Sequence, residues 1–214
     1  MGTAEVIVDG LSLEVELGEC VYPPLEDTTL AVKMLLRIRE TGEKPRRILD
    51  VATGSGILAL ASYILLKPDT LIATDISPYA VEVAKRNLRG TGALVVRCNM
   101  ASCIAPRGWD LLIANPPYLP GEDLLEDCDG YEVMQWSSPK ALEALCRDIS
   151  RLAPWSVVLV YSSLTPIDLG RCVEGLGYRV LLSDFLPFFM EKIKAIYAVK
   201  GAGGGEAPSS TSRY

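Results

Sequence analysis

Two stretches of alternating apolar and polar residues, Val6-Ile7-Val8 and Leu11 to Leu17, flank Asp9-Gly10. Asp-Gly between alternating runs is a strong signal for a two-residue hairpin turn, so the chain is predicted to open with a β-hairpin. Leu30, Met34, Leu35 and Ile38 then recur at helical spacing and predict a helix that closes near Gly42. From residue 46 onward, short apolar runs alternate with helical patterns. The candidate strands are Arg47–Val51, Leu71–Thr74, Leu94–Arg97, Leu111–Ala114, Ser156–Tyr161, Arg179–Ser183 and Ala195–Val199. One intervening helix is fully punctuated: Ser77 caps it, Pro78 starts it, Val83, Ala84 and Leu88 face inward, and Gly90 ends it.

Strands that alternate with helices predict an α/β fold, a doubly wound and mainly parallel seven-stranded sheet with right-handed crossovers. The short Asp184–Lys192 connection leaves no room for a helical crossover, so the last two strands are expected to pair antiparallel. Residues 1–200 read as one domain, with residues 1–20 as a small N-terminal hairpin extension. Residues 201–214, rich in Gly, Ser and Pro, read as a flexible tail.

Composition narrows this picture. A 214-residue chain with 49% hydrophobic and 22% charged residues can bury a core and is not disordered throughout. Apolar stretches such as Trp155–Tyr161 are too short to span a membrane. The acidic start, with Glu5, Asp9, Glu14 and Glu16, does not read as a signal peptide. The six cysteines lack metal-binding spacing, so no metal site is expected, and they read as free buried thiols of an intracellular, cytoplasmic protein. A net charge of -6 opposes broad nucleic-acid binding, and Lys85, Arg86 and Arg89 on one helix read as a solvated face. Asparagine and glutamine are scarce, three and one respectively, which hints at growth at high temperature.

Candidate chemistry begins at "ILDVATGSGILALA", with Asp50 ending a strand and Gly54-Ser55-Gly56 turning into a helix. Taken alone, this GxGxxA pattern also fits a dinucleotide site. Asp75 ends the next strand, where a carboxylate can accept from both hydroxyls of a ribose. Asp50 discriminates between ligands, because a carboxylate beside this turn repels a pyrophosphate and favours a cationic amino-acid end. On that ground the loop suits S-adenosylmethionine better than a nicotinamide cofactor.

The chain contains no histidine, the commonest general base. The run ending in Asn115-Pro116-Pro117-Tyr118 supplies an alternative. Proline disfavours helix in the preceding residue, so Asn115 is expected to be extended at the strand's carboxyl end. Its side-chain oxygen and the Pro116 carbonyl can accept both hydrogens of a substrate –NH₂ and aim the nitrogen lone pair. Pro117 stiffens the loop, and Tyr118 walls a planar substrate group. Methyl transfer from a sulfonium depends mainly on such positioning and needs no base beforehand.

Asp50-x-x-x-Gly54-x-Gly56, Asp75 and Asn115-Pro116-Pro117-Tyr118, in this order, resemble a class I S-adenosylmethionine-dependent methyltransferase of the amino-methylating kind. The segment "VYPPLEDTTL", Val21 to Leu30, resembles the VYxPxEDT segment of the archaeal and eukaryotic branch of HemK-like enzymes. The resemblance spans about residues 20 to 200. It implies methylation of the side-chain amide (N5) of the glutamine in the Gly-Gly-Gln motif of a translation release factor. It also implies cofactor contacts from Tyr22, Thr28, Asp50, Ala52, Gly54, Gly56, Asp75, Ile76, Asn99, Met100 and Asn115. Two positions depart from the family pattern: Ala52 stands where glycine is usual, and Asn99 where an aspartate usually meets the adenine amino group.

The family further implies a heterodimer with a small zinc-containing activator protein bound along the third strand, Ala93–Arg97, at the sheet edge. A partner there would protect an apolar edge. The Asn-Pro-Pro-Tyr device alone does not separate a glutamine amide from adenine N6 or guanine N2 in nucleic acid, since all three present a conjugated –NH₂. A non-catalytic cofactor-binding protein fits poorly, because both halves of the site are intact.

Overall fold

A computed structural model describes residues 2–118 and 139–201. The predicted hairpin is present as β1 (Thr3–Val8) and β2 (Leu11–Glu16), paired antiparallel. Asp9 and Gly10 have φ of 47° and 83°, the left-handed pair that a type I′ turn requires. The inward side chains Val6, Val8, Leu13 and Val15 join the main core.

Helix α1 (Glu26–Glu40) follows, then β3 (Arg47–Val51), α2 (Ile57–Leu66), β4 (Thr70–Asp75), α3 (Pro78–Asn87), β5 (Leu94–Arg97) and β6 (Leu111–Ala114). Beyond the undescribed stretch lie α4 (Pro139–Leu152), β7 (Ser156–Ser162), α5 (Leu169–Gly175), β8 (Tyr178–Pro187) and β9 (Lys192–Lys200). The seven strands β3 to β9 form one sheet in the order β5-β4-β3-β6-β7-β9-β8. Pairing is parallel from β5 through β7 and antiparallel for β7 with β9 and β9 with β8, as the strand connections predict.

Both faces are covered. Leu35 and Ile38 of α1 and Leu58 and Leu65 of α2 pack one face, and Leu142, Leu145 and Ile149 of α4 with Val173 of α5 pack the other. The central strands β6 and β7 are therefore buried at every position, as strands covered on both faces must be. Strand order proceeds outward from β3 to β4 and β5, then returns to β6. The switch point thus falls between β3 and β6, where open α/β sheets leave a crevice at their carboxyl edge.

The cysteines correct the sequence reading. The structure pairs Cys98 with Cys103 and Cys146 with Cys172, with Cα separations of 6.0 and 6.4 Å, and Cys20 is also disulfide-bonded. No cysteine is free among the described residues. The second pair forms because α4 packs on α5, a contact that sequence spacing does not reveal. No helix among the described residues is long and apolar enough to cross a membrane. Of the predicted tail, only Gly201 lies within the described residues.

Candidate active site

A cavity of about 280 Å³ opens at the carboxyl ends of β3, β4 and β6. Each of these strands ends in a motif singled out in the sequence. The loop after β3 contributes Ala52, Thr53, Gly54 and Ser55; the end of β4 contributes Asp75 and Ile76; and β6 delivers Asn115, Pro116, Pro117 and Tyr118. Tyr22, Thr28, Asn99 and Met100 also line it. The fold thus assembles residues separated by up to 119 positions, since Tyr22 and Ala141 line one cavity.

Asp50 and Gly56, two expected contacts, do not line the cavity. Asp50 is fully buried behind the glycine loop, where its Oδ2 accepts from Thr53 Oγ1 at 2.5 Å and from the Ala59 N–H at 3.0 Å. It thereby shapes the turn that lines the cavity. Its Oδ1 has no hydrogen-bond partner in the structure. Burial pushes the Asp50 carboxyl up to about 7; the bonds from Thr53 and Ala59 pull it down, and the nearby Asp75 charge adds to the rise.

Gly56 caps α2 with φ of 85°, and a Cβ there would lie 3.2 Å from the Cα and Cβ of Ala84 on α3. Its role is close helix packing rather than ligand contact. Gly54 has φ of 55° and donates its N–H to Asp75 Oδ2 at 2.9 Å. Asp75 Oδ1 accepts the Ser77 N–H at 2.9 Å. Burial raises the Asp75 carboxyl, while backbone N–H bonds from Ser77, Gly54 and Ile76 favour its charged form. Ala52 has φ of 57°, a left-handed conformation natural to glycine, so the methyl group costs backbone strain as well as space.

The loop carrying Asn99 and Met100 is fastened from three sides. The Cys98–Cys103 disulfide brackets it, the Ala101 N–H donates to Asp148 Oδ2 at 2.9 Å, and Arg151 of α4 donates to the Ala101 and Ile104 carbonyls, each at 2.6 Å. Asn87 has a similar task on the other side of the cavity. It accepts from the Glu16 N–H at 2.8 Å and donates to the Ser55 carbonyl at 2.8 Å, tying the N-terminal hairpin to the glycine loop.

Asp27, in the first turn of α1, is a cavity-lining residue that sequence reasoning missed. An acid there is ordinarily explained by the helix macrodipole, so its presence in "VYPPLEDTTL" carried no separate signal. It is only 7% exposed, and its Oδ2 accepts from Asn115 Nδ2 at 2.9 Å and from the Tyr118 hydroxyl at 2.8 Å. Burial foremost, and then the Asp27 charge, raise the Tyr118 phenol strongly, so it remains a neutral donor. Asn115 Oδ1 is buried and has no partner among the described residues.

The basic residues of α3 do not form a patch. Lys85 pairs with Glu82 and Arg86 with Glu16, each at 2.9 Å. Among the described residues no cluster of three or more acidic or sulfur side chains could hold a metal ion.

Similarity to known proteins agrees with this geometry. Residues 26–115 match the family model described as ribosomal protein L11 methyltransferase (PrmA). By structure the chain superposes on a ribosomal protein L11 methylase from Lactobacillus delbrueckii subsp. bulgaricus, with a TM-score of 0.63, 19% identity, and coverage of 87% of this chain and 84% of that one. It also superposes on the 16S rRNA N2 G1207 methyltransferase of T. thermophilus, solved with AdoMet and guanosine, with a TM-score of 0.62, 15% identity, and coverage of 94% and 50%. The chain shares the fold of these methyltransferases.

At those identities the structural likeness is one of fold. Sequence relatives of the chain include a release factor glutamine methyltransferase of Moorella thermoacetica, 39% identical over 114 residues, which are 51% of this chain and 40% of that protein. A Methanocaldococcus jannaschii protein, provisionally named a protein N5-glutamine methyltransferase, is 28% identical over 203 residues, covering 90% of this chain and 98% of that one. The chain spans less than half the length of the relatives that carry the release-factor name.

Two features of the cavity fit S-adenosylmethionine. Its walls carry the carboxylates of Asp75 and Asp27, an acidic setting that suits a cationic ligand and repels a pyrophosphate. Asp75 ends β4, where its remaining lone pairs can meet ribose hydroxyls, and the glycine loop lies beside it.

Proposed function

We propose that the protein is an S-adenosylmethionine-dependent methyltransferase that acts on the side-chain amide (N5) of the glutamine in the Gly-Gly-Gln motif of a translation release factor. The observation that carries this reading is that Asn115 lines an acidic cavity and keeps a buried Oδ1 with no partner among the described residues. A buried acceptor without a partner costs on the order of 1–3 kcal/mol and is retained where a ligand satisfies it. The names of the sequence relatives support glutamine as the acceptor.

In this mechanism Asp75 would hold the ribose hydroxyls, Gly54 and its neighbours the amino-acid end, and Ile76, Asn99 and Met100 the adenine. When bound, the cofactor supplies a methyl group on a positively charged sulfur that leaves as a neutral thioether. Asn115 Oδ1 and the Pro116 carbonyl accept the two substrate N–H bonds, which draws the nitrogen lone pair out of conjugation and along the line of attack. Held this way, the substrate nitrogen would be aligned for methylation, and once methylated it would shed its proton to solvent. Tyr118 packs against the planar amide, and Pro116 and Pro117 keep the loop rigid.

The same reading includes a covering partner for β5, a small zinc-containing activator protein. β5 forms one edge of the sheet and Leu94 on it is 61% exposed, which suits an added strand. A cytoplasmic location follows from the proposed substrate.

The alternative acceptors are the exocyclic amines of adenine (N6) and guanine (N2) in DNA or RNA. The pairing of Lys85 and Arg86 with acids favours the protein substrate over a nucleic-acid backbone. Incubation with labelled cofactor, the activator, and either a release factor or nucleic acid separates the two. Label on the Gly-Gly-Gln glutamine, mapped by mass spectrometry, supports the proposal; label only on nucleic acid overturns it.

A further inference from the structure

We propose that Asp27 is the positioning residue that fixes the orientation of the Asn115 amide, committing its oxygen to the cavity and thereby selecting substrates that present N–H. This rests on the amino-methylating reading of the site and adds to it the source of its selectivity. An asparagine amide has one face that accepts and one that donates, and the two are nearly equal in shape. Nothing intrinsic to Asn115 decides which face meets the substrate.

Asp27 decides it. A carboxylate only accepts, so it can face the NH₂ of Asn115 and not its oxygen. With Asn115 Nδ2 at 2.9 Å from Asp27 Oδ2, the reversed amide would set two oxygens against each other at that distance. Asp27 is itself held: its Oδ1 accepts the Thr28 N–H at 2.7 Å, and its Oδ2 also takes the Tyr118 hydroxyl at 2.8 Å. The start of α1 therefore locks a residue 88 positions away, and Asn115, which lines the cavity, keeps a buried Oδ1 with no partner among the described residues. A nucleophile without an N–H, such as a thiolate or a pyridine-type ring nitrogen, would meet an acceptor with nothing to donate.

The test uses the full chain and two readouts. The first needs no substrate. The protein has only three asparagines and one glutamine, so its side-chain NH₂ signals in a ¹⁵N-labelled sample are few, and Asn115→Ala identifies the pair of interest. The Asn115 pair should exchange slowly with water in the unaltered protein. In Asp27→Asn, residue 27 can present its own NH₂, the Asn115 amide turns over, and that protection is lost.

The second readout is methyl transfer. Asp27→Asn should lower kcat by about 100-fold, in keeping with loss of alignment, while cofactor Kd changes little. The exchanged pair Asp27→Asn/Asn115→Asp restores an acceptor oxygen facing the cavity and should recover about tenfold over Asp27→Asn, roughly 1.4 kcal/mol in barrier. Rapid exchange of the Asn115 amide in the unaltered protein, or full activity in Asp27→Asn, overturns the proposal. So does a parallel loss of cofactor binding and activity that the exchanged pair does not relieve. Should neither variant fold, the exchange rate in the unaltered protein alone decides. If the unaltered protein methylates no release factor, the substrate reading fails while the amide signals still judge Asp27.

Discussion

Asp75 accepts the Gly54 N–H at 2.9 Å, so the end of β4 and the glycine loop after β3 are one structural unit. Backbone N–H groups of Gly54 and Ser77 fix the plane of the carboxylate, and Asp75 lines the cavity. Asp75→Ala is expected to remove the ribose acceptor and free the loop together. Calorimetric titration with S-adenosylmethionine should show a loss of about 2–3 kcal/mol, the usual value of charge-assisted hydrogen bonds, equivalent to roughly 30- to 150-fold in Kd. Unchanged affinity would remove Asp75 from the cofactor site.

Stability should carry the signature of Asp50. Its folded-state pKa, pushed up to about 7, exceeds its unfolded value of about 3.9, so the folded protein binds the extra proton between those pH values. The contribution of this group to stability is full below about pH 4 and is lost as pH rises to about 7, at up to about 1.4 kcal/mol per pH unit. Asp75, also raised by burial, acts in the same direction. In Asp50→Asn, unfolding measured by denaturant across that window should vary less steeply with pH. A slope equal to that of the unaltered chain would contradict a protonated Asp50.

Two neighbouring backbone positions should respond oppositely. Ala52→Gly relieves a φ of 57° and should stabilise the fold by about 0.5–1 kcal/mol, the cost of a left-handed alanine less the extra freedom of unfolded glycine. Gly56→Ala introduces a Cβ 3.2 Å from Ala84 at a φ of 85° and should destabilise by about 1–3 kcal/mol. Chemical denaturation of both variants checks the pair.

The Cys146–Cys172 disulfide closes a separation of 26 residues between α4 and α5. Replacing both with serine should lower unfolding free energy by about 3 kcal/mol under non-reducing conditions, with little effect when the unaltered chain is first reduced. Equal stability of the two proteins without reductant would argue against this pairing.

The sheet was legible because each strand is a local apolar run with turn residues around it, and its order followed from the connections. β8 runs to Pro187 rather than ending at Ser183, since an edge strand tolerates outward Ser183 and Phe185 that interrupt an apolar pattern. The glycine loop, Asp75 and the Asn115–Tyr118 run were legible as motifs, each contiguous in sequence. What joins them was not. Asp27 meets Asn115 only after α1 docks against the carboxyl edge, and Asp50 and Gly56, adjacent to cavity residues in sequence, turn inward to support the loop and the α2–α3 contact. The disulfides depend likewise on helix packing and on the loop after β5.

The central claim is that Asn115 Oδ1 orients the substrate nitrogen, and single-turnover methyl transfer to a release factor by Asn115→Ala tests it most directly. The account predicts a rate at least about 1,000-fold below that of the unaltered protein, with S-adenosylmethionine affinity within about threefold. Transfer at the unaltered rate, or a loss explained wholly by weaker cofactor binding, would contradict it.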